Sequence, residues 1–361
     1  MSIPATLPDP ELSTKHARLA AILEARGADG LVLRSPGALG WFLGGARTHV
    51  SLAGAPVAEV LVQRNGAHLL VFGNEAARLF AEELPVGLET IEVPWAENLS
   101  AHTGRTATDL GLAMVLDEDE VALELRAARA ALLPLEQERY RQLCADTART
   151  LGDVLFEAVP RDTERGIASR LAARLMLDGS DPLVVLVAGA DRLGFRHPLP
   201  TANPVGNMFM AVLCARREGL IANVTRWVSF APRSAGQLRA EASILEVEAE
   251  ILEATRPGVS LASILPVIQA AYPRHGFETD EWIRHHQGGP TGYVGRDPRL
   301  VPGVTDTVVA GQAFAWNPSA PGVKVEDTML LTETGFEVLS VDPRWPTLTV
   351  AGRQRPAILE R

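Results

Sequence analysis

The chain has 361 residues, 47% of them hydrophobic and 22% charged, which argues against a mainly disordered protein and supplies enough apolar side chain for a large core. Its 34 basic and 44 acidic residues leave a net charge of −10, which argues against a general binder of nucleic acid or of an anionic membrane, since either needs a basic face. The length suggests two domains.

Helical spacing of Leu19, Ile22 and Leu23 predicts a helix over 11–26, with Gly27 as its C-cap. Gly30–Leu33 reads as a short buried strand, and the runs 60–62 and 68–72 flank a hairpin turn at Asn65-Gly66. A helix over 74–84 and a strand over 112–116 follow. The pattern from 119 to 158 is helical but interrupted by Pro134, which cannot continue a helix interior without losing a hydrogen bond. A joint near 130–135 therefore divides the chain into domains 1–132 and 133–361. The second reads as a repeated unit: helices near 136–158 and 163–178 with strands near 183–188, 208–215 and 220–230, then helices near 237–255 and 260–273 with strands near 312–317 and 323–332. Two helices followed by strands, twice, predict a pseudo-symmetric α+β domain with a pocket between its halves.

Cys144 and Cys214, the only cysteines, can form neither a disulfide framework nor a cysteine-rich zinc site, and reduced thiols suit a cytoplasmic protein. Met1–Asp9 lacks the pattern of a secretory signal, and no apolar run approaches the ~20 residues needed to span a bilayer.

Four segments place polar groups where chemistry could use them. Arg196-His197-Pro198-Leu199-Pro200-Thr201 holds an imidazole in a loop stiffened by two prolines. The apolar hairpin around Cys214 and Gly219 carries Asn223, Thr225 and Arg226, which could equally form a structural hydrogen-bond network. Trp282–Tyr293 contains His285, His286 and Gln287 before a Gly-Gly pair that permits close backbone approach to a ligand. Read as a strand, this segment sends His285 and His286 to opposite faces. Finally, Asn317 precedes a strand in which Lys324, Glu326 and Thr328 share a face, so one of the chain's two lysines lies beside an acid.

Together these segments, with Trp41-Phe42-Leu43-Gly44-Gly45 near the start, resemble the pita-bread family of creatinase, prolidase and aminopeptidase P over nearly the whole chain. The resemblance implies an N-terminal creatinase-type α/β domain followed by the pita-bread domain. It also implies a site that, in the family's metallopeptidases, binds two divalent ions through two Asp, one His and two Glu, and so generates a hydroxide nucleophile. On the matching motifs those five positions carry Val212, Asn223, Gly289, Asn317 and Glu326 here, so only the last keeps an anionic ligand. No Asp occurs between Gly194 and Asp280, the interval that should hold both aspartates. His197, His285 and Arg226 match residues the family keeps.

The resemblance thus implies a hydrolase that has lost its metals and needs no cofactor. Its substrate would be a small amide, an amidino compound or an Xaa-Pro dipeptide. His197 is cast as general base, His285 or His286 as oxyanion or carboxylate partner, and Glu326 with Lys324 as substrate anchors. Asn223, Arg226, Gln287 and Asn317 would complete the binding surface. One alternative is a catalytically inactive pita-bread protein that binds a peptide or small ligand, as some histone-chaperone subunits of this fold do. The other is a metal-dependent dipeptidase with unconventional ligands. The resemblance also implies a homodimer, which gel filtration at the mass of a single chain would refute.

Overall fold

The computed structural model describes residues 9–85 and 87–361, so most of the segment read for a secretory signal lies outside the described residues. Two compact units emerge, one running through Arg129 and including Glu218–Leu220, the other comprising Ala130–Arg217 and Ile221–Arg361.

In the first unit, helix α1 (Pro10–Arg26) starts where the Asp9 carboxylate accepts from the amides of Glu11 and Leu12, and stops at Gly27, whose φ of +65° suits a residue without a Cβ. Strand β1 (Gly30–Leu33) is buried along its whole length. It pairs with β2 (Ala58–Gln63) on one side and β5 (Val115–Asp117) on the other. With β3 (Gly66–Phe72) and β4 (Glu89–Val93) these form a five-stranded sheet ordered β4-β3-β2-β1-β5. The hairpin turn lies one residue earlier than its sequence suggests: Gln63 pairs with Gly66, so Arg64 and Asn65 make the turn and Gly66 begins a strand. Helix Pro36–Phe42, strand β4 and helix Leu99–Asp109 lack a clear apolar period and escape sequence reading.

The second unit is built from two successive pairs of helices, each followed by a mainly antiparallel four-stranded sheet. Pro134 opens the first long helix, α2 (Pro134–Glu157), at the position where a missing amide costs nothing. Helix α3 (Glu164–Leu177) follows, its first turn capped by the Thr163 hydroxyl. Strands β6 (Asp181–Gly189), β7 (Met208–Arg217) and β8 (Leu220–Ser229) then form a sheet completed by the C-terminal strand Leu359–Glu360, parallel to β8. The second half repeats the scheme with helices α4 (Ala235–Ala254) and α5 (Ile264–Arg274). Its sheet takes β9 (Gly288–Thr291), β10 (Ala313–Trp316), β11 (Met329–Thr332) and β12 (Gly335–Val338) in the order β12-β11-β10-β9. Ile244, Ile251, Ile268, Phe314, Trp316 and Met329 belong to the core between helices and sheet in this half. Among the described residues no helix is long and apolar enough to cross a membrane.

Candidate active site

The second unit contains a cavity of about 570 Å³ whose lining includes His197, Asn223, His286, Asn317, Lys324 and Glu326. Strand β8 explains how two of its neighbouring polar groups part company. Side chains alternate along a strand, and Asn223 and Thr225 turn to the same side, where the Thr225 hydroxyl donates to Glu326 Oε2 at 2.8 Å. Arg226 turns to the other side, away from the cavity. It is buried and donates to Asp327 Oδ1 at 2.8 Å and to the Ser340 carbonyl at 2.9 Å. Arg355 meets the second oxygen of the same Asp327 at 2.9 Å. The role of Arg226 as a substrate contact is thereby corrected: it is one member of a buried ion-pair network. Gln287 needs the same correction. Its amide nitrogen donates to the carbonyls of Trp282 and His285, and its oxygen accepts from the Tyr272 hydroxyl at 2.8 Å, which fixes the turn and uses both of its amide hydrogens.

Of the strand expected over 323–332 only Val323–Lys324 and Met329–Thr332 are strands, but Lys324, Glu326 and Thr328 still come to the same group of side chains. Lys324 Nζ lies 2.8 Å from Glu326 Oε2, and the Thr328 hydroxyl donates to the Asn223 carbonyl at 3.1 Å. On the other oxygen of Glu326, Arg296 donates from Nη2 at 2.5 Å. The same guanidinium donates from Nη1 to Asn223 Oδ1 at 2.9 Å. Burial raises the Glu326 carboxyl, but Lys324 and Arg296 outweigh it and hold the pKa far below the usual carboxylate range. Glu326 is therefore ionised and fully engaged by cations.

His285 and His286 do not diverge as a strand would make them. Residues 281–284 form a short 3₁₀ turn, and β9 begins only at Gly288, so the two imidazoles leave an irregular bend. Both come to the ring of His197, with centroids 4.8 and 5.7 Å away. His285 Nε2 lies 3.2 Å from His197 Nε2. His285 Nδ1 lies 2.9 Å from Ser319 Oγ, to which Arg196 also donates at 3.2 Å. Arg196 is itself held by the buried Glu281. Burial, then the positive field of Lys324, lowers His285 to about 2. Burial, then Arg296 and Arg299, lowers His286 to about 3. The same causes, burial and Lys324 first, pull His197 below its ordinary value. All three imidazoles are neutral at pH 7.

Sequence reasoning missed Arg296 and Arg299, which lie in the segment following β9 and line the cavity. A lone carboxylate buried beside a single lysine is a signal that could have pointed to a second cation, but not to which of 32 arginines supplies it. Cys214 also lines the cavity, its thiol pushed up to about 12 by burial and 3.3 Å from Asn223 Oδ1, so it is an inert neutral group rather than a nucleophile.

The five positions matched to metal ligands do not suit two divalent ions. Val212 has no donor, and the single carboxylate, Glu326, is already satisfied by an ammonium, a guanidinium and a hydroxyl. Gly289 has φ +141°, and a Cβ there would meet the Pro298 carbonyl oxygen at 2.8 Å, so the backbone leaves no room for an imidazole. Asn317 is buried with its Oδ1 unpartnered, a neutral acceptor in place of an anion. Where the fold would set cations, Arg296 bridges Asn223 and Glu326. A different set of donors exists beside it: the ligand atoms of His197, His285 and His286 lie within 4.8 Å of one another.

The model of metallopeptidase family M24 matches residues 138–333. No curated protein sequence matches the chain. Among solved structures, dipeptidase PepE from Mycobacterium ulcerans superposes with a TM-score of 0.75 at 18% identity, over 97% of this chain and 98% of that one. The prolidase from Pyrococcus horikoshii OT3 gives 0.73 at 16% identity, over 91% and 99%. The N-terminal domain of FACT complex subunit SPT16 from Cicer arietinum gives 0.67 at 13% identity, over 91% and 96%. At these identities the likeness is one of fold.

Proposed function

The chain belongs to metallopeptidase family M24, and from that premise we propose that it is a metal-independent hydrolase of a small amide, amidino or Xaa-Pro-type substrate. The dipeptidase and prolidase neighbours support amide hydrolysis as the class of reaction. The observation that carries the loss of metal is Arg296, whose guanidinium holds Asn223 and the only remaining carboxylate, Glu326, in one grip.

His197 is the general base. In the tautomer in which His285 donates from Nδ1 to Ser319 Oγ, His285 Nε2 accepts from His197 Nε2–H, and His197 keeps a lone pair on Nδ1. That lone pair takes a proton from water as the water oxygen bonds to the substrate carbonyl carbon. The resulting oxyanion is stabilised by Lys324, whose ammonium has further N–H groups beyond the one on Glu326. His197 then returns the proton to the departing nitrogen as the C–N bond breaks. His285 positions the base, and Ser319 with Arg196 positions His285.

A second reading, metal-dependent hydrolysis, is favoured by one observation, the three converging imidazoles. Purified protein incubated with Xaa-Pro dipeptides and small amides, with EDTA or with added Mn²⁺, separates the two. Turnover that survives chelation supports the metal-independent reaction, turnover that needs the ion supports the second reading, and no turnover on any substrate leaves a binding protein. His197→Ala with full activity would remove the base.

A further inference from the structure

The substrate class named above spans neutral, cationic and anionic molecules, and the charge of the cavity discriminates among them. We infer that the cavity takes an amide bearing a carboxylate but no free ammonium, the N-acyl amino acid class. The chemistry at the amide rests on the hydrolytic reading; the recognition rests on charge and shape alone.

The ionisable lining holds three permanent cations, Arg296, Arg299 and Lys324, against one carboxylate, Glu326. That carboxylate is spent, because both its oxygens are already in ion pairs. Arg299 has no acidic partner within ion-pair distance among the described residues, and Lys324 pairs only with Glu326. The cavity therefore carries a surplus of two positive charges. The histidines around it, held neutral, add no compensating group. A carboxylate entering the cavity would meet charge-assisted donors from the buried Lys324, where desolvation strengthens them, and from the exposed Arg299 at the rim. A free α-ammonium would find no available acceptor of opposite charge, and an amidinium would fare no better. One part of the wall is apolar, formed by Leu183, Val184, Leu186, Ile221 and Val294, which suits an uncharged acyl group. Hydrolysis then balances simply: the water oxygen bonds to the acyl carbon and the C–N bond breaks. One water proton goes through His197 to the leaving nitrogen, giving a carboxylic acid and a free amino acid.

The test is calorimetric titration of the full chain with N-acetylproline, glycylproline and creatine at pH 7, alongside turnover of the first two. N-acetylproline should bind at least about tenfold more tightly than either of the others, and its affinity should weaken as salt rises from about 20 to about 200 mM. Arg299→Gln, a change at an exposed side chain, should cost about tenfold in affinity for N-acetylproline while leaving the circular dichroism spectrum unchanged. Lys324→Gln provides a second reading of the same loss if it folds. Equal or tighter binding of glycylproline, absence of N-acetylproline binding, or an Arg299→Gln variant with wild-type affinity would each overturn the inference. Tight N-acetylproline binding without turnover would uphold the recognition and overturn the hydrolase reading. Turnover of glycylproline but not N-acetylproline would do the reverse.

Discussion

Replacing Glu326 by Gln tests whether this carboxylate is a counter-ion or a metal ligand. The side chain is 2% exposed, with Arg296 on Oε1 and Lys324 and Thr225 on Oε2. Gln keeps the volume but removes the charge, and its amide can accept from only one side. Two cations would then be left without their anion. Breaking a buried ion pair by removing one partner costs about 3–5 kcal/mol, and the partly buried Arg296 and buried Lys324 place this case toward the upper end. In a domain of this size each kcal/mol lowers the melting temperature by about 2–4 °C, so a fall of about 10 °C or more is expected in metal-free buffer. Calorimetry at pH 7 reads it. The pH dependence has a definite sign. The folded pKa of Glu326 lies well below its ordinary value, so its contribution is fully present above about pH 5 and is lost as the solution is acidified below the ordinary carboxylate range near 4.3. The gap between wild type and variant should narrow there and stay constant between pH 6 and 8. If instead Glu326→Gln is as stable as wild type without metal, and only the wild type gains stability from added Mn²⁺ or Zn²⁺, Glu326 is a ligand and the counter-ion argument fails.

Two further perturbations probe the frame of the site. Gly288→Ala would set a Cβ 2.2 Å from the Ala315 carbonyl oxygen at φ +95°, prying β9 from β10. A loss of at least about 3 kcal/mol in urea unfolding is expected from strain and overpacking, whereas Gly292→Ala, with nothing within 4 Å, should cost less; equal costs would contradict the packing. The imidazole of His285, lowered to about 2, stays neutral while its unfolded counterpart protonates below about 6.5, so stability must fall with acidification by about 1.4 kcal/mol per pH unit, or about 2 kcal/mol by pH 5. His285→Gln should reduce the slope of the stability profile between pH 6.5 and 4 by about 1.4 kcal/mol per pH unit, leaving the part that His286 contributes, and an unchanged slope would show that His285 is already charged in the folded state.

What was readable in the sequence follows from the range of the signals involved. The helices with a clear apolar period and the buried strands of the second unit were legible because burial imprints a local period, and Pro134 marked the helix start because proline acts through its own backbone. The Lys324–Glu326 pair is legible because the two residues lie two apart in sequence, close enough to meet although the strand itself ends at Lys324. His285 and His286 do not follow the even period of a strand because the chain bends there before β9 begins. Arg226 and Gln287 misled because a polar residue in an apolar run looks alike whether it faces a ligand or a buried partner. Arg226 meets Asp327, 101 positions away. Arg296 was invisible because it reaches Asn223 and Glu326 across 73 and 30 positions.

Those long-range contacts also set what the site can and cannot do. A divalent ion contributes in two ways, stabilising the developing oxyanion and acidifying bound water. Fixed side-chain cations can supply the first, because Lys324 and Arg299 carry charge into the same space. They cannot supply the second, since an ammonium binds water without lowering its pKa toward 7. On the metal-independent reading the nucleophile is generated by a base, and around this cavity His197 is the exposed imidazole, linked to His285 and lowered in pKa so that it stands unprotonated at neutral pH. Removing His197 should therefore cost far more in kcat than removing Arg299, whose loss should appear mainly as weaker binding; the opposite split would mean that field rather than proton transfer limits the reaction.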